Sequence, residues 1–233
     1  MLFDDIVAIL SSAELMGYVW QGFLHTLIVT FVAAGIGLVL GFAVALVKIS
    51  ATQSRWMKIP GVICNLYTTV IRGTPVALQL FIMVFAVLAI PGFKPYAAIL
   101  TFGINSGAYQ AEILRAGIMS IDPGQMEAGR ALGLGYWKTM LRIVLPQAIR
   151  NVLPALGNEF IVLMKDTSIV GYIALRDLAK GGDIIRSQTY SVYTPYLTVA
   201  AIYLVLVMTF TWLLGKLERH LRNTGADVVH NDS

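Results

Sequence analysis

The sequence predicts an all-α membrane protein with five transmembrane helices, and three observations carry that prediction. Of 233 residues, 57% are hydrophobic and only 13% charged, about half the charged share of an ordinary soluble domain. Five mostly apolar runs follow one another, each meeting the roughly 20 residues that a spanning helix needs. The basic residues behind the +4 net charge sit near the ends of those runs rather than on one face, which excludes a nucleic-acid-binding patch.

The elements follow in order. Residues 1–19 form an N-terminal interfacial segment, with Leu2, Phe3, Ile6, Val7 and Leu10 on one side of a short amphipathic helix. Asp4 and Asp5, with no basic lead-in, argue against a cleaved signal peptide. The membrane-spanning body covers residues 20–222. Gly22 to Val47 is the first span and carries no Asp, Glu, Lys or Arg. Ile59 to Ile90 is the second, charged only at Arg72. Tyr96 to Met119 is the third, charged late at Glu112 and Arg115. Ile143 to Leu163 is the fourth, with Arg150, Pro154 and Glu159. Thr194 to Gly215 is the fifth and uncharged. Ile169 to Leu175 is too short to cross and reads as re-entrant or interfacial, followed by a polar loop from Arg176 to Tyr193. Residues 223–233 form a polar tail.

Orientation follows from Lys and Arg in short loops. Lys48, Arg55 and Lys58, then Arg130, Lys138 and Arg142, then Lys216, Arg219 and Arg222 all fall on one side. That side is cytoplasmic, which places the N-terminus outside and the C-terminus inside. Arg176, Lys180 and Arg186 dissent on the outer side, partly offset by Asp177 and Asp183. Gly37 and Gly41, and Gly103 and Gly107, have the small-xxx-small spacing that lets helices approach closely, here within one subunit rather than at a dimer face.

The longest polar stretch lies between spans three and four. Asp122-Pro123-Gly124 reads as a helix entry, with Asp as cap and Pro in the first turn. Gly133 and Gly135 end that helix, and a second starts near Tyr136 and runs into span four. The result, over about residues 122–136, is a short helix held at both ends by spans, which cannot move without moving them.

A polar path crosses the spans as well. Charges inside a membrane are costly and usually mark function. Arg72 lies roughly 18 Å into span two at about 1.5 Å per residue. Asn65, Thr69, Arg72 and Gln79 share a helical stripe, and Pro75 removes the hydrogen bond to the Ile71 carbonyl. A broken helix beside a charge marks midplane sites in many transporters. Arg72 can hold a substrate carboxylate in two parallel hydrogen bonds, or serve a structural ion pair or freed backbone. Glu159 can meet a cationic substrate group, or bond to Arg72 or Arg150. Asn105, Ser106 and Tyr109 can line the same cavity or bridge helices. Lys165 and Asp166 read as structural or gating. Cys64 is a single cysteine, which excludes an internal disulfide. His25, His220 and His230 have no metal-binding spacing, and His25 reads as a packing hydrogen bonder. No nucleophile, base and orienter set appears, so the chain has no predicted catalytic residue.

Glu127-Ala128-Gly129, Gly133 and Ile143-Val144-Leu145-Pro146 resemble the coupling-loop signature of ATP-driven (ABC-type) importer permeases, with Gly129 the one departure from its Glu-Ala-Ala start. Arg72-Gly73-Thr74-Pro75, Ser106-Gly107-Ala108-Tyr109 with Ala111-Glu112, and Lys165-Asp166-Thr167-Ser168 resemble the polar amino-acid branch of that family. The similarity covers about Gln21 to Arg222. It implies a type I importer permease architecture, in a multi-pass protein of the bacterial plasma (inner) membrane. It implies that Glu127, Ala128, Gly129, Gly133 and Leu134 contact an ATPase. It also implies the partners: two ABC ATPase subunits, a second permease copy or close homologue, an extracytoplasmic solute-binding protein and an amino-acid substrate. Substrate contacts are expected from Arg72, Glu159, Thr69, Asn105 and Gln79. Members with Asn-Glu at Asn158-Glu159 often carry basic amino acids, so arginine, lysine or histidine is expected, with glutamine, glutamate or cystine as the alternative. The chain itself needs no cofactor. ATP and Mg belong to the ATPase, in keeping with the absence of a G-x-x-x-x-G-K-[ST] loop from this sequence. A stand-alone secondary carrier or channel would not need the looped-out helix, and a mere anchor for a sensor would not need the polar path.

Overall fold

A computed structural model describes residues 2–230, with side chains from Ile6 to Leu221 apart from Gln53. It is helical throughout, with no strand among the described residues. The elements are α1 (Leu2–Ser11), α2 (Ala13–Gln53), α3 (Lys58–Arg72), α4 (Val76–Ile82), α5 (Lys94–Met119), α6 (Pro123–Ala131), α7 (Tyr136–Thr139), α8 (Leu145–Asp166), α9 (Leu178–Thr189) and α10 (Tyr193–His230).

The N-terminal helix forms as predicted, but its end falls at Ser12, which caps α2 by accepting from Leu15 N at 3.4 Å. Residues 13–19 therefore belong to the long helix. Within α1 the docked side chain is Ile9, buried against Val19, Leu178 and Leu206, while Val7 and Leu10 stay exposed. Leu2 and Phe3 of the predicted apolar face lie outside the described side chains.

Ala13–Thr52 and Tyr193–Leu221 are long and apolar enough to cross a membrane. Arg55–Arg72 and Val76–Val87 pass the same test only as a pair bent by 104°. The predicted second span is thus not one rod. Gly73 and Thr74 leave the helix, Pro75 is extended at φ −62° and ψ 132°, and α4 restarts in a new direction. Helices α5 and α8 are 26 and 22 residues long, and they carry the polar residues of the site.

Helix α5 is the central element. Its small and polar side chains, including Ala98, Gly103, Asn105, Ser106, Gly107, Ala108 and Gln110, are buried. It packs along α2 with the glycines facing each other. A Cβ on Gly37 would lie 3.1 Å from Gly107 N, and one on Gly41 would lie 3.0 Å from Gly107 O. Gly103 in turn admits Ile36 and the Ala33 carbonyl. The two small-xxx-small motifs therefore serve close packing within this chain. Tyr67 of α3 donates to Ile104 O at 2.5 Å, adding a third helix to the pair. Toward the C-terminal ends of α2 and α5, Lys48 of α2 pairs with Glu112 of α5 and donates to Thr68 Oγ1 of α3 at 3.0 Å, while Arg115 holds the other carboxylate oxygen at 3.0 Å. Each charge has a partner, the condition for keeping it within apolar surroundings.

The segment from Arg176 to Tyr193, predicted as a polar loop, is largely helix. After a 3-10 run over Thr167–Ile173, Asp177 caps α9 by accepting from Ala179 N and Lys180 N. The cap outweighs the low helix propensity of Gly181-Gly182, both buried close against neighbouring helices. Four bonds among the described residues fasten this segment to α2: Arg176 to Gln21 Oε1 at 2.7 Å, His25 Nδ1 to Arg176 O at 3.2 Å, Leu178 N to Thr26 Oγ1 at 3.2 Å, and Gln188 Nε2 to Tyr18 OH at 3.3 Å. The dissenting outer cations are tied up. Lys180 and Arg186 both bond Asp183, at 2.6 and 2.9 Å, and these two cations hold its carboxyl at about 2, well below the usual range.

Candidate functional site

Two sites emerge, one at each end of the path between α3 and α8. The first is a cavity of about 400 Å³ at the α3–α4 break. Its wall includes Arg72 and Thr74 at the break, Asn105 and Tyr109 of α5, and Glu159 and Asp166 of α8. Arg72 ends α3 and stands open in this single chain, its guanidinium 5.2 Å from the centre of the Tyr109 ring. That stacking orients a planar cation and leaves its edge nitrogens for a ligand. Glu159 accepts from Ser106 Oγ at 3.3 Å, and Ser106 in turn accepts from Gln110 at 2.9 Å. No ion pair joins Arg72 to Glu159 or Arg150 to Glu159 among the described residues. One guanidinium and two carboxylates therefore face one small space without neutralising each other directly.

Of the five expected substrate residues, Arg72, Asn105 and Glu159 meet at this cavity, whereas Thr69 and Gln79 do not line it. The predicted stripe fails at Gln79 because the 104° bend carries α4 off the axis of α3. Gln79 turns back instead. Its Nε2 donates to Ile71 O at 2.8 Å and to Thr74 Oγ1 at 2.8 Å, and its Oε1 accepts from Asn105 at 3.0 Å. The carbonyl that Pro75 leaves free is thus satisfied by a side chain, as an apolar setting demands. Asp166, read from sequence as structural or gating, lines the cavity beside Glu159; the two are seven residues apart on α8, two turns of one face.

The second site is the helix between α5 and α8. Asp122 caps α6 by accepting from Gly124 N at 2.8 Å, with Pro123 at the first position. At the other end Gly133 takes φ +81°, Gly133 N bonds Arg130 O and Leu134 N bonds Gly129 O. This double closure is a Schellman motif, which needs the left-handed residue that glycine supplies. Helix α7 then passes through a π turn, Met140–Val144, into α8. Glu127, Ala128 and Gly133 are exposed and Leu134 is half-buried. Leu132 and Trp137 are 81% and 70% exposed, apolar groups beside a polar helix with nothing covering them. A cavity of about 770 Å³ lies behind, its wall including Glu112, Arg115, Glu127, Arg130 and Tyr136.

Gly129 points the other way and is buried. A Cβ there would meet the Thr139 side chain, with Oγ1 at 2.9 Å. Thr139 is fully buried and donates to Gly135 O at 3.2 Å. The single departure from the family pattern is therefore where α6 and α7 touch. Thr139 was not foreseen; the signal for it was the unexpected glycine itself.

The family described as binding-protein-dependent transport system inner membrane component matches residues 37–223. The arginine transport system permease protein ArtQ of Bacillus subtilis (strain 168) is 40% identical over 210 residues, covering 88% of this chain and 93% of that relative. A putative glutamine transport system permease protein GlnP of Rickettsia bellii (strain RML369-C) is 36% identical over 207 residues, covering 88% and 93%. Among solved structures, a crystal structure of an amino acid ABC transporter with histidines aligns with a TM-score of 0.82 and 42% identity, over 91% of this chain and 98% of that one. The fold is that of an importer permease, and this chain belongs to the family of inner-membrane components of binding-protein-dependent transport systems.

Proposed function

We propose that this chain is the membrane-spanning subunit of an ATP-driven importer of polar amino acids, with a preference for basic ones. The observation that carries the reading is the cavity of about 400 Å³ at the helix break, where Arg72 faces Glu159 and Asp166. An α-amino acid with a cationic side chain presents one carboxylate and two cations, the complement of one guanidinium and two carboxylates. The relatives support the amino-acid class, since one is named for arginine and another for glutamine. The glutamine relative makes a neutral substrate the competing reading, and the second carboxylate favours the cation.

In this reading five spans cross the bilayer: α2, the bent α3–α4 pair, α5, α8 and α10. The N-terminus is outside and the C-terminus cytoplasmic. Residues 20–222 form the permease body, residues 1–19 lie at its outer interface, and 223–233 form the tail. Pairing of the outer cations with Asp183 and Gln21 removes the objection they raise to this orientation. The segment 122–136 then faces the cytoplasm and docks on a separate ATPase through Glu127, Ala128, Leu132 and Trp137, with ATP and Mg bound there. Two ATPases, a second permease copy or close homologue, and an outer solute-binding protein complete the complex.

The test is ATP hydrolysis by the reconstituted complex across arginine, lysine, histidine, glutamine, glutamate and cystine, each presented with the binding protein. Stimulation by the basic amino acids above the others is expected. Stimulation by glutamine alone would move the substrate to the neutral reading. Uptake by this chain in liposomes without an ATPase would overturn the importer.

A further inference from the structure

The N-terminal part of α8 and the C-terminal part of α10 enclose a polar space separate from the two sites described above. It is a cleft of about 500 Å³ whose wall includes Arg150, Leu153 and Pro154 of α8 and Glu218 and Arg219 of α10. Arg150 makes no hydrogen bond or ion pair among the described residues. Among the described residues Arg219 uses only Nε, on Gly215 O at 3.0 Å. No ion pair within 4 Å ties Glu218 to either guanidinium among the described residues. One turn before, Lys216 lies 4.3 Å over the Trp212 ring, the combination that anchors a helix at the membrane surface. Beside the cleft runs a groove of about 620 Å³ walled by apolar side chains of α2, α5 and α8, among them Val39, Phe42 and Leu114. Leu153 belongs to both walls.

We propose that the cleft and the groove together hold one anionic phospholipid of the inner leaflet, its phosphate between Arg150 and Arg219 and an acyl chain along the groove. Basic pockets between spanning helices on the cytoplasmic side suit such headgroups, and the guanidinium fork suits a phosphate. Pro154 strengthens the fit, because its missing N–H leaves the Arg150 carbonyl without the usual helical donor and able to accept from a headgroup hydroxyl. The proposal rests on the orientation given above, which places this end at the cytoplasmic surface.

The experiment is native mass spectrometry of the intact permease–ATPase complex after incubation with dioleoylphosphatidylglycerol, dioleoylphosphatidylcholine or inorganic phosphate. Wild type should retain phosphatidylglycerol over phosphatidylcholine. The Arg150→Gln/Arg219→Gln double variant should lose that preference by roughly thirtyfold, the effect of two basic residues near the surface. Arg150→Lys/Arg219→Lys should keep most of it, and Arg55→Gln/Lys58→Gln, an equal charge loss on the same side, should keep it fully. Equal retention of both lipids by wild type, or equal loss in both glutamine doubles, would overturn the site. Inorganic phosphate held as well as phosphatidylglycerol would reduce it to a free-anion site and overturn the lipid. Loss of the ATPase from the Arg150→Gln/Arg219→Gln complex, with lipid retention unchanged, would assign the cleft to the protein partner instead. Lipid retention is read without transport, so it fails or stands separately from the importer reading.

Discussion

Gln79 Nε2 reaches the Ile71 carbonyl at 2.8 Å, across the gap that Pro75 opens between α3 and α4. A side chain eight residues away does the work of the missing backbone donor and ties the break to Asn105 of α5 through its other end. Gln79→Leu should leave that carbonyl unsatisfied and cost about 1–3 kcal/mol. The expected outcome is a lower melting temperature with an unchanged apparent affinity for the amino acid. An unchanged melting temperature with weakened affinity would return Gln79 to the substrate contacts.

The contact between Gly129 and Thr139 gives a test of the docking segment. Gly129→Ala should force α6 and α7 apart, since Thr139 is fully buried and cannot swing away. Overpacking of this kind costs about 1–3 kcal/mol. ATPase binding should weaken in the single variant and recover in Gly129→Ala/Thr139→Ala. If the second substitution brings no recovery, the contact does not govern the helix.

Glu127 stands exposed on the same helix, near the uncovered Leu132 and Trp137. Glu127→Lys should leave the melting temperature within about 0.5 kcal/mol of wild type, as surface changes do, while uptake falls and ATP hydrolysis no longer follows substrate. Uptake equal to wild type would remove Glu127 from the coupling surface.

At the other site, Glu159→Gln keeps shape and the bond from Ser106 but removes the charge. Uptake of arginine, lysine or histidine should fall about tenfold to a hundredfold relative to glutamine, the span expected for a charged hydrogen bond of about 1.5–3 kcal/mol. Equal loss for all substrates would make Glu159 a packing residue of the α5–α8 seam.

In α9, Lys180 and Arg186 hold the Asp183 carboxyl at about 2. Its folded value lies below the unfolded one, so its contribution is complete above about pH 4 and fades as acid approaches pH 2. Asp183→Asn lacks that contribution at every pH. Melting curves of the two proteins should therefore differ at pH 6 and converge near pH 2. A constant gap throughout would mean that the ion pairs do not stabilise α9.

Much of this was legible in the residues. Asp122, Pro123 and Gly133 specify a helix with a start and a stop, because capping and left-handed geometry are local properties. Pro75 announced the break for the same reason. The angle of the break was not legible, since 104° is set by packing of α4 on α5 rather than by proline alone. The exclusion of Gln79 from the cavity follows from that angle. Helix α9 was hidden because its two glycines disfavour helix locally, and only their close fit against Tyr18 and Val199 makes them suitable. Asp166 was legible as a charge on the right helix but not as a neighbour of Arg72, because nothing in one strip of sequence says which two faces will meet.

The glycine seam between α2 and α5 has a mechanical consequence. Where Gly37 and Gly41 bring the backbone of α2 against that of Gly107, and Ile36 sits over Gly103, there is little room to slide, so the two helices form a keel that moves as one piece. Whatever shape change accompanies transport has to be taken up at the softer joints, at the bend beside Arg72 and at the π turn leading into α8. Those two joints flank the cavity and the docking segment, so a push delivered at one would be felt at the other without the keel itself deforming.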